Sequence, residues 1–173
     1  SKKLNEATET VNKILKDNTY YDLYNNVLKY LLKKKRSEKE VFDYISKLTN
    51  NINDIESIIN KLKKINLIND IEFCKAFIND KIYLSKIGIN KIKMELLEHN
   101  IPIDVIDNEL KNIDENIFFD RLSKIVEKKI KANKKYSKKQ LSNKILNEMI
   151  ILGYNKESII KVLDSYLIED ESV

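Results

Sequence analysis

Glycine and proline are almost missing from this chain. Its 173 residues hold two of the first and one of the second, where average usage gives roughly twelve and nine. Sandwiches, barrels and doubly wound sheets need both residues at their turns, so an all-α protein is expected instead. One cysteine rules out an intramolecular disulfide framework and a cysteine-based zinc site. One histidine leaves little scope for histidine metal ligation or acid–base chemistry. No apolar run approaches the roughly 18 residues of a membrane span, and no charged-then-apolar leader opens the chain. A cytoplasmic protein without cofactor, metal or membrane is expected.

What is present is a large apolar fraction, 42%, and an equally conspicuous charged one, 34%. The net charge of +5 hides a segregation. Residues 29–39 carry a local +5, residues 121–139 a local +8, and residues 95–120 between them a local −7. Solvated helix faces account for such runs. An attractive field for an anionic partner, nucleic acid or nucleoprotein, accounts for them too, and the clustering leans that way. Within the basic runs the aromatics are Tyr30 and Tyr136, so a base-stacking platform is only weakly signalled.

Hydrophobic periodicity gives helices throughout. Tyr24, Val27, Leu28, Leu31 and Leu32 follow the spacing of one buried stripe. Ser37-Glu38-Lys39-Glu40 is a capping box, in which the Ser37 hydroxyl accepts from the third helical N–H and Glu40 reaches back. Val41, Tyr44, Ile45 and Leu48 form the next stripe. Asp54 is expected to cap a third helix with Ile55, Ile58, Ile59, Leu62 and Ile65 inward. The phrase then recurs. Asp70 is expected to cap a helix carrying Phe73, Phe77 and Ile78. Gly88 punctuates, and Pro102 opens another helix. A third copy begins near Asn116, with a second capping box at Ser137–Gln140, Gly153 as a helix-ending cap and Asn155 as the last start. Second helices thus begin near Ser37, Gly88 and Ser137, a period of about fifty residues. The expected plan is tandem three-helix repeats in an elongated, curved array: a lead-in or trimmed stub over 1–19, repeats over 20–69, 70–114 and 115–168, and an acidic tail over 169–173.

Catalytic signatures are missing. Gly88 and Gly153 lie too far apart in sequence to build a phosphate loop. Cys74 beside Phe73 reads as a core thiol, and His99 as a helix-closing residue. The i, i+3 pairs Asp104/Asp107 and Glu95/Glu98 read as solvated faces. No enzyme activity is expected.

Four segments carry a likeness to a known family. LKYLLKKKRSEKEV (28–41) resembles the first repeat of the RecX family, with Arg36, Ser37, Glu38 and Glu40 in its basic-run-then-R-S-E-x-E places. LKKINLINDIEFCKAFI (62–78) is similar to its join between repeats, with Leu67, Asp70 and Phe73 in register. KIGINKIKMELLEHNIPIDVI (86–106) and KKQLSNKILNEMIILGYNKESIIKVL (138–163) resemble its second and third repeats. Asn100 stands where the family usually has Gly, Cys74 replaces Ala, and Tyr154 replaces Phe. Asn79, Asp80 and Lys81 stand where arginines are common.

The resemblance implies a regulator of the recombinase RecA, mainly an inhibitor. It would bind in the groove of the RecA filament on single-stranded DNA and modulate recombination, strand exchange and ATPase during DNA repair and the SOS response. Expected contact residues are Lys33, Lys35, Arg36, Arg121, Lys124, Lys128 and Lys131, with Ser37, Glu40, Asp70 and Gly153 as structural determinants. A monomer is expected. Two other readings stay open: a module that binds DNA directly, for which base-reading arginine is scarce, and a protein-only scaffold docking a partner helix.

Overall fold

In the computed structural model the described residues, 2–169, form nine α-helices and no strand. The expected acidic tail lies outside them, apart from the backbone of Glu169. The helices are α1 (Lys2–Lys33), α2 (Glu38–Ser46), α3 (Ile52–Lys64), α4 (Asp70–Leu84), α5 (Ile89–Glu98), α6 (Ile103–Leu110), α7 (Glu115–Ala132), α8 (Lys138–Ile151) and α9 (Lys156–Glu169). The chain forms two compact units, one ending at Phe73 and one beginning at Cys74, so the boundary falls inside α4.

In the first unit, Leu23 and Val27 of α1 meet Val41 and Ile45 of α2 and the α3 stripe Ile55, Ile58, Ile59 and Leu62. Each such side chain contributes roughly 1.5–3 kcal/mol by leaving water. The α1 pattern departs from expectation in two places. The helix runs unbroken through residues 19 and 20, where a lead-in was expected to end. Leu32 is 84% exposed, although Leu28 and Leu31 beside it pack against the core. In the second unit, α7, α8 and α9 pack pairwise through Leu122, Val126, Ile145, Met149, Ile159 and Val162, all buried. α5 packs on α6, with Ile92, Leu96 and Ile106 buried. Cys74 is buried, as a core thiol should be.

Helix ends follow specific chemistry. The Ser37–Glu40 capping box is complete, with both reciprocal bonds made. At Ser137 the hydroxyl accepts from the Gln140 N–H. Two caps differ from expectation by a few residues. Asn51, not Asp54, caps α3, its side chain accepting from the Asp54 N–H. Asn69 caps α4, its side chain accepting from the Ile71 and Glu72 N–H groups. In both cases an asparagine takes the place expected of an aspartate that follows it, and at Asn51 the backbone is still extended, as a capping residue requires. Three helices end in the same left-handed motif. Asn66, Asn100 and Gly153 have φ of 60°, 57° and 93°. In each motif the next N–H reaches back to the third-last helical carbonyl: Leu67 to Leu62, Ile101 to Leu96, Tyr154 to Met149.

The two glycines of the chain meet. The Gly88 N–H donates to the Leu152 carbonyl at 2.7 Å, and the Asn90 N–H donates to the Gly153 carbonyl at 3.0 Å. The N-terminus of α5 therefore takes its acceptors from the turn after α8, and Gly88 needs no side-chain cap. A Cβ at Gly88 would lie 2.5 Å from the Gly153 carbonyl carbon, and one at Gly153 would lie 2.4 Å from Lys91 Cβ.

Candidate functional site

The expected contact residues fall into two groups, one in each unit. In the first unit, α1 runs out into the exposed Lys33, Lys34 and Lys35. Lys35 Nζ lies 3.6 Å from Glu72 Oε2, both well exposed, a pairing that leaves its charge largely available. Arg36 differs. Its side chain is 15% exposed, lies 3.6 Å from Glu40 Oε1, and stacks 4.2 Å from the centre of the Tyr30 ring. Tyr44 stacks on Tyr30 at 4.1 Å and 2°. Two planar groups this close to one ring must take opposite faces, so Arg36, Tyr30 and Tyr44 form a three-layer stack. Burial raises the Tyr30 phenol above its ordinary pKa, against the lowering effect of Arg36. Arg36 thus braces the end of the basic run, while Lys33 and Lys35 remain on its surface.

Ser37, Glu40 and Asp70 converge on one point, the N-terminus of α2. Ser37 is fully buried. Glu40 Oε2 accepts from the Ser37 N–H at 2.9 Å while its other oxygen faces Arg36. Asp70 Oδ1 accepts from the Glu38 N–H at 2.8 Å, across 32 residues of sequence. Two carboxylates at the positive end of a short helix are stabilising. This joint fixes the direction in which the chain leaves the lysine run.

In the second unit, Arg121, Lys124 and Lys128 recur at i, i+3 and i+7 on one side of α7. Arg121 is half-buried, and its guanidinium donates to the carbonyls of Ile82 and Ile87. It ties the end of α4 and the link before α5 to α7. Tyr154 assists by donating its hydroxyl to the Lys86 carbonyl at 2.7 Å. Burial raises the pKa of the Tyr154 phenol, and the nearby Arg121 opposes that rise. Lys124 and Lys128 are exposed. Lys131 donates to Glu127 at 2.6 Å on exposed helix surface. That bond lowers the Glu127 carboxyl and raises the Lys131 ammonium.

Beside this face lies a depression of about 450 Å³ lined by Lys86, Arg121, Lys124, Ile125, Lys128, Lys129 and Leu152. Lys86 was not anticipated. It stands alone in sequence, outside both basic runs, and only the folding of the α4–α5 link against α7 brings it to the others. Among the described residues no group of His, Cys, Asp and Glu is arranged to hold a metal ion. No helix there is long and apolar enough to cross a membrane.

Comparison with known proteins adds the following. No family model matches the chain. It is 31% identical over 171 residues to the "Regulatory protein RecX" of Clostridioides difficile, covering 98% of this chain and 80% of the relative. It is 34% identical over 147 residues to the "Regulatory protein RecX" of Clostridium beijerinckii, covering 84% and 68%. Relatives from Listeria are longer, and the chain spans about half their length, 49% in Listeria innocua. The crystal structure of RecX from Lactobacillus salivarius superposes with a TM-score of 0.78 at 24% identity, covering 86% of this chain and 97% of that one. At that identity the likeness establishes the fold.

Proposed function

Since the chain belongs to the RecX family, we propose that it is a non-enzymatic regulator of the RecA recombinase that binds in the groove of the RecA filament on single-stranded DNA. Its main effect is inhibition of strand exchange and of the coupled ATPase. The family membership carries this reading. The surface chemistry supports it: Lys33, Lys34 and Lys35 in one unit, and Lys124 and Lys128 in the other, are exposed cations. A filament of acidic protein surface and DNA phosphates attracts such groups over a Debye length of about 8 Å at physiological salt. Three helices fall in or enter each of the stretches 20–69, 70–114 and 115–168, α1 beginning ahead of the first at Lys2, which supports reading them as three-helix repeats.

Light scattering from preformed RecA filaments on single-stranded DNA, together with their ATPase rate, tests the proposal. Addition of this chain should lower both. Reversing Lys33, Lys34 and Lys35 to Glu should weaken the effect without changing the melting temperature. Filaments and ATPase indifferent to the wild-type chain would refute it.

A further inference from the structure

We infer that the depression on α7 is a phosphate-binding site, in which Lys86, Lys124 and Lys128 hold the oxyanion and Arg121 shapes the wall behind it. This deepens the proposed function and rests on it for the source of the phosphate, the backbone of single-stranded nucleic acid.

The argument starts from charge that has no internal use. Five basic side chains line this hollow. Lys129 is neutralised by Glu148, its ammonium 2.5 Å from Glu148 Oε2. Arg121 keeps its charge, but two of its nitrogens already donate to main-chain carbonyls. Lys86, Lys124 and Lys128 are exposed, and their side chains make no ion pair or hydrogen bond. Four positive charges therefore border one hollow with no free carboxylate lining it. Left empty, such an arrangement is destabilised by mutual repulsion. Occupied by a multiply charged oxyanion, it releases that repulsion.

The site is also built on fixed backbone. Lys86 lies in the four-residue link between α4 and α5, and that link is held at every side. The Ile82 and Ile87 carbonyls accept from Arg121, the Lys86 carbonyl accepts from Tyr154, and the Gly88 N–H donates to Leu152. Lys124 and Lys128 stand one helical turn apart on α7. The three ammonium groups thus sit on flexible stems rooted in rigid positions. Ile125 and Leu152 complete the lining with apolar surface, which suits a sugar ring beside its phosphate. Lysine serves phosphate as a point charge with three donors. An arginine fork would match carboxylate and phosphate alike, and the one arginine here is turned inward. Several positive charges converging on one hollow favour a multiply charged phosphate over a single acidic side chain of a protein partner.

The test compares two triple variants of equal charge. One is Lys86→Gln/Lys124→Gln/Lys128→Gln; the other is Lys2→Gln/Lys3→Gln/Lys16→Gln, in the exposed N-terminal half of α1. The probe is fluorescently labelled oligothymidylate, titrated by anisotropy over a salt series. Each phosphate contact on a single strand contributes about 0.7 to the slope of log K against log salt. The α7 triple should lose about 2 from that slope, and the α1 triple none. Inorganic tripolyphosphate should compete for the wild type and not for the α7 triple. Equal losses in both triples, or none in the α7 triple, would overturn the site. Polyglutamate competing as well as tripolyphosphate would overturn phosphate as its ligand and point to acidic protein. Binding of tripolyphosphate by titration calorimetry, without oligothymidylate binding, would keep the phosphate chemistry and overturn the nucleic-acid source. RecA indifferent to a chain that still shows the expected slope change would remove the proposed function and leave the site standing.

Discussion

Replacing Gly153 with alanine should lower the melting temperature of the whole chain. Two penalties combine there. At φ of 93° a residue with a Cβ is strained by roughly 1–2 kcal/mol. That Cβ would also sit 2.4 Å from Lys91 Cβ and 2.5 Å from Lys91 N. The nitrogen belongs to α5 and cannot swing aside, so the crowding costs about 1–3 kcal/mol more. A loss of about 2–5 kcal/mol is a large part of the 5–15 that hold a domain together. In a chain of this size each kcal/mol lowers Tm by about 2–4 °C, so the fall should exceed about 4 °C. Two further variants separate the causes. Gly153→Asn keeps the Cβ but tolerates the backbone, as Asn66 and Asn100 do in the same motif, so it should recover only the strain. Gly88→Ala has an ordinary φ of −84° and only the clash with the Gly153 carbonyl. In the double variant the losses should fall short of additive by about 1 kcal/mol, because the first substitution already parts the two turns. Differential scanning calorimetry reads the four variants against the wild type. A Gly153→Ala Tm within about 3 °C of wild type would refute the close approach of the two turns.

Other consequences can be checked by similar means. Asp70→Ala removes an acceptor from the α2 N-terminus and should cost about 0.5–2 kcal/mol in urea unfolding, with Asp70→Asn recovering part of it; no change would mean the Glu38 N–H finds water equally well. Ser37→Ala, at a fully buried cap, should cost about 1–2 kcal/mol, read from the same curves. Arg121→Gln should leave the Ile82 and Ile87 carbonyls short of donors at about 1–3 kcal/mol, with amide exchange accelerating across Ser85–Gly88; unchanged exchange would contradict the bracing role. Burial raises the Tyr154 phenol above its unfolded value. The neutral form is the one the fold prefers, so its contribution is intact below pH about 10 and is lost as pH rises through the folded pKa. Tyr154→Phe should flatten that alkaline decline, and ultraviolet titration of the phenolates tests it.

Helix content was legible because the evidence for it is local. Stripes such as Ile55, Ile58, Ile59 and Leu62 need only their own spacing, and scarce glycine removes the competing folds. The Ser37–Glu40 box was legible for the same reason. The caps at Asn51 and Asn69 were mistaken by residues that compete for one task within a few positions, a choice settled by where the backbone turns. The roles of Arg36 and Arg121 were not legible at all. Each stands in a basic run, and nothing in the run shows that Tyr30 will lie under one or that two carbonyls 34 and 39 residues away will reach the other. The lysines around them kept their solvent-facing character because an ammonium has no comparable reason to turn inward. Lys86 was invisible for the converse reason: its neighbours are made by the fold.

The division of the chain within α4 has a thermodynamic sequel. A helix owned by two bodies cannot fray for one without loosening the other, since its hydrogen-bond ladder runs straight through residues 73 and 74. Melting of either body should therefore drag its companion along, and calorimetry should record a single merged endotherm where a flexible tether would give a pair. Three consecutive glycines inserted at that junction would act as a fuse, splitting the peak.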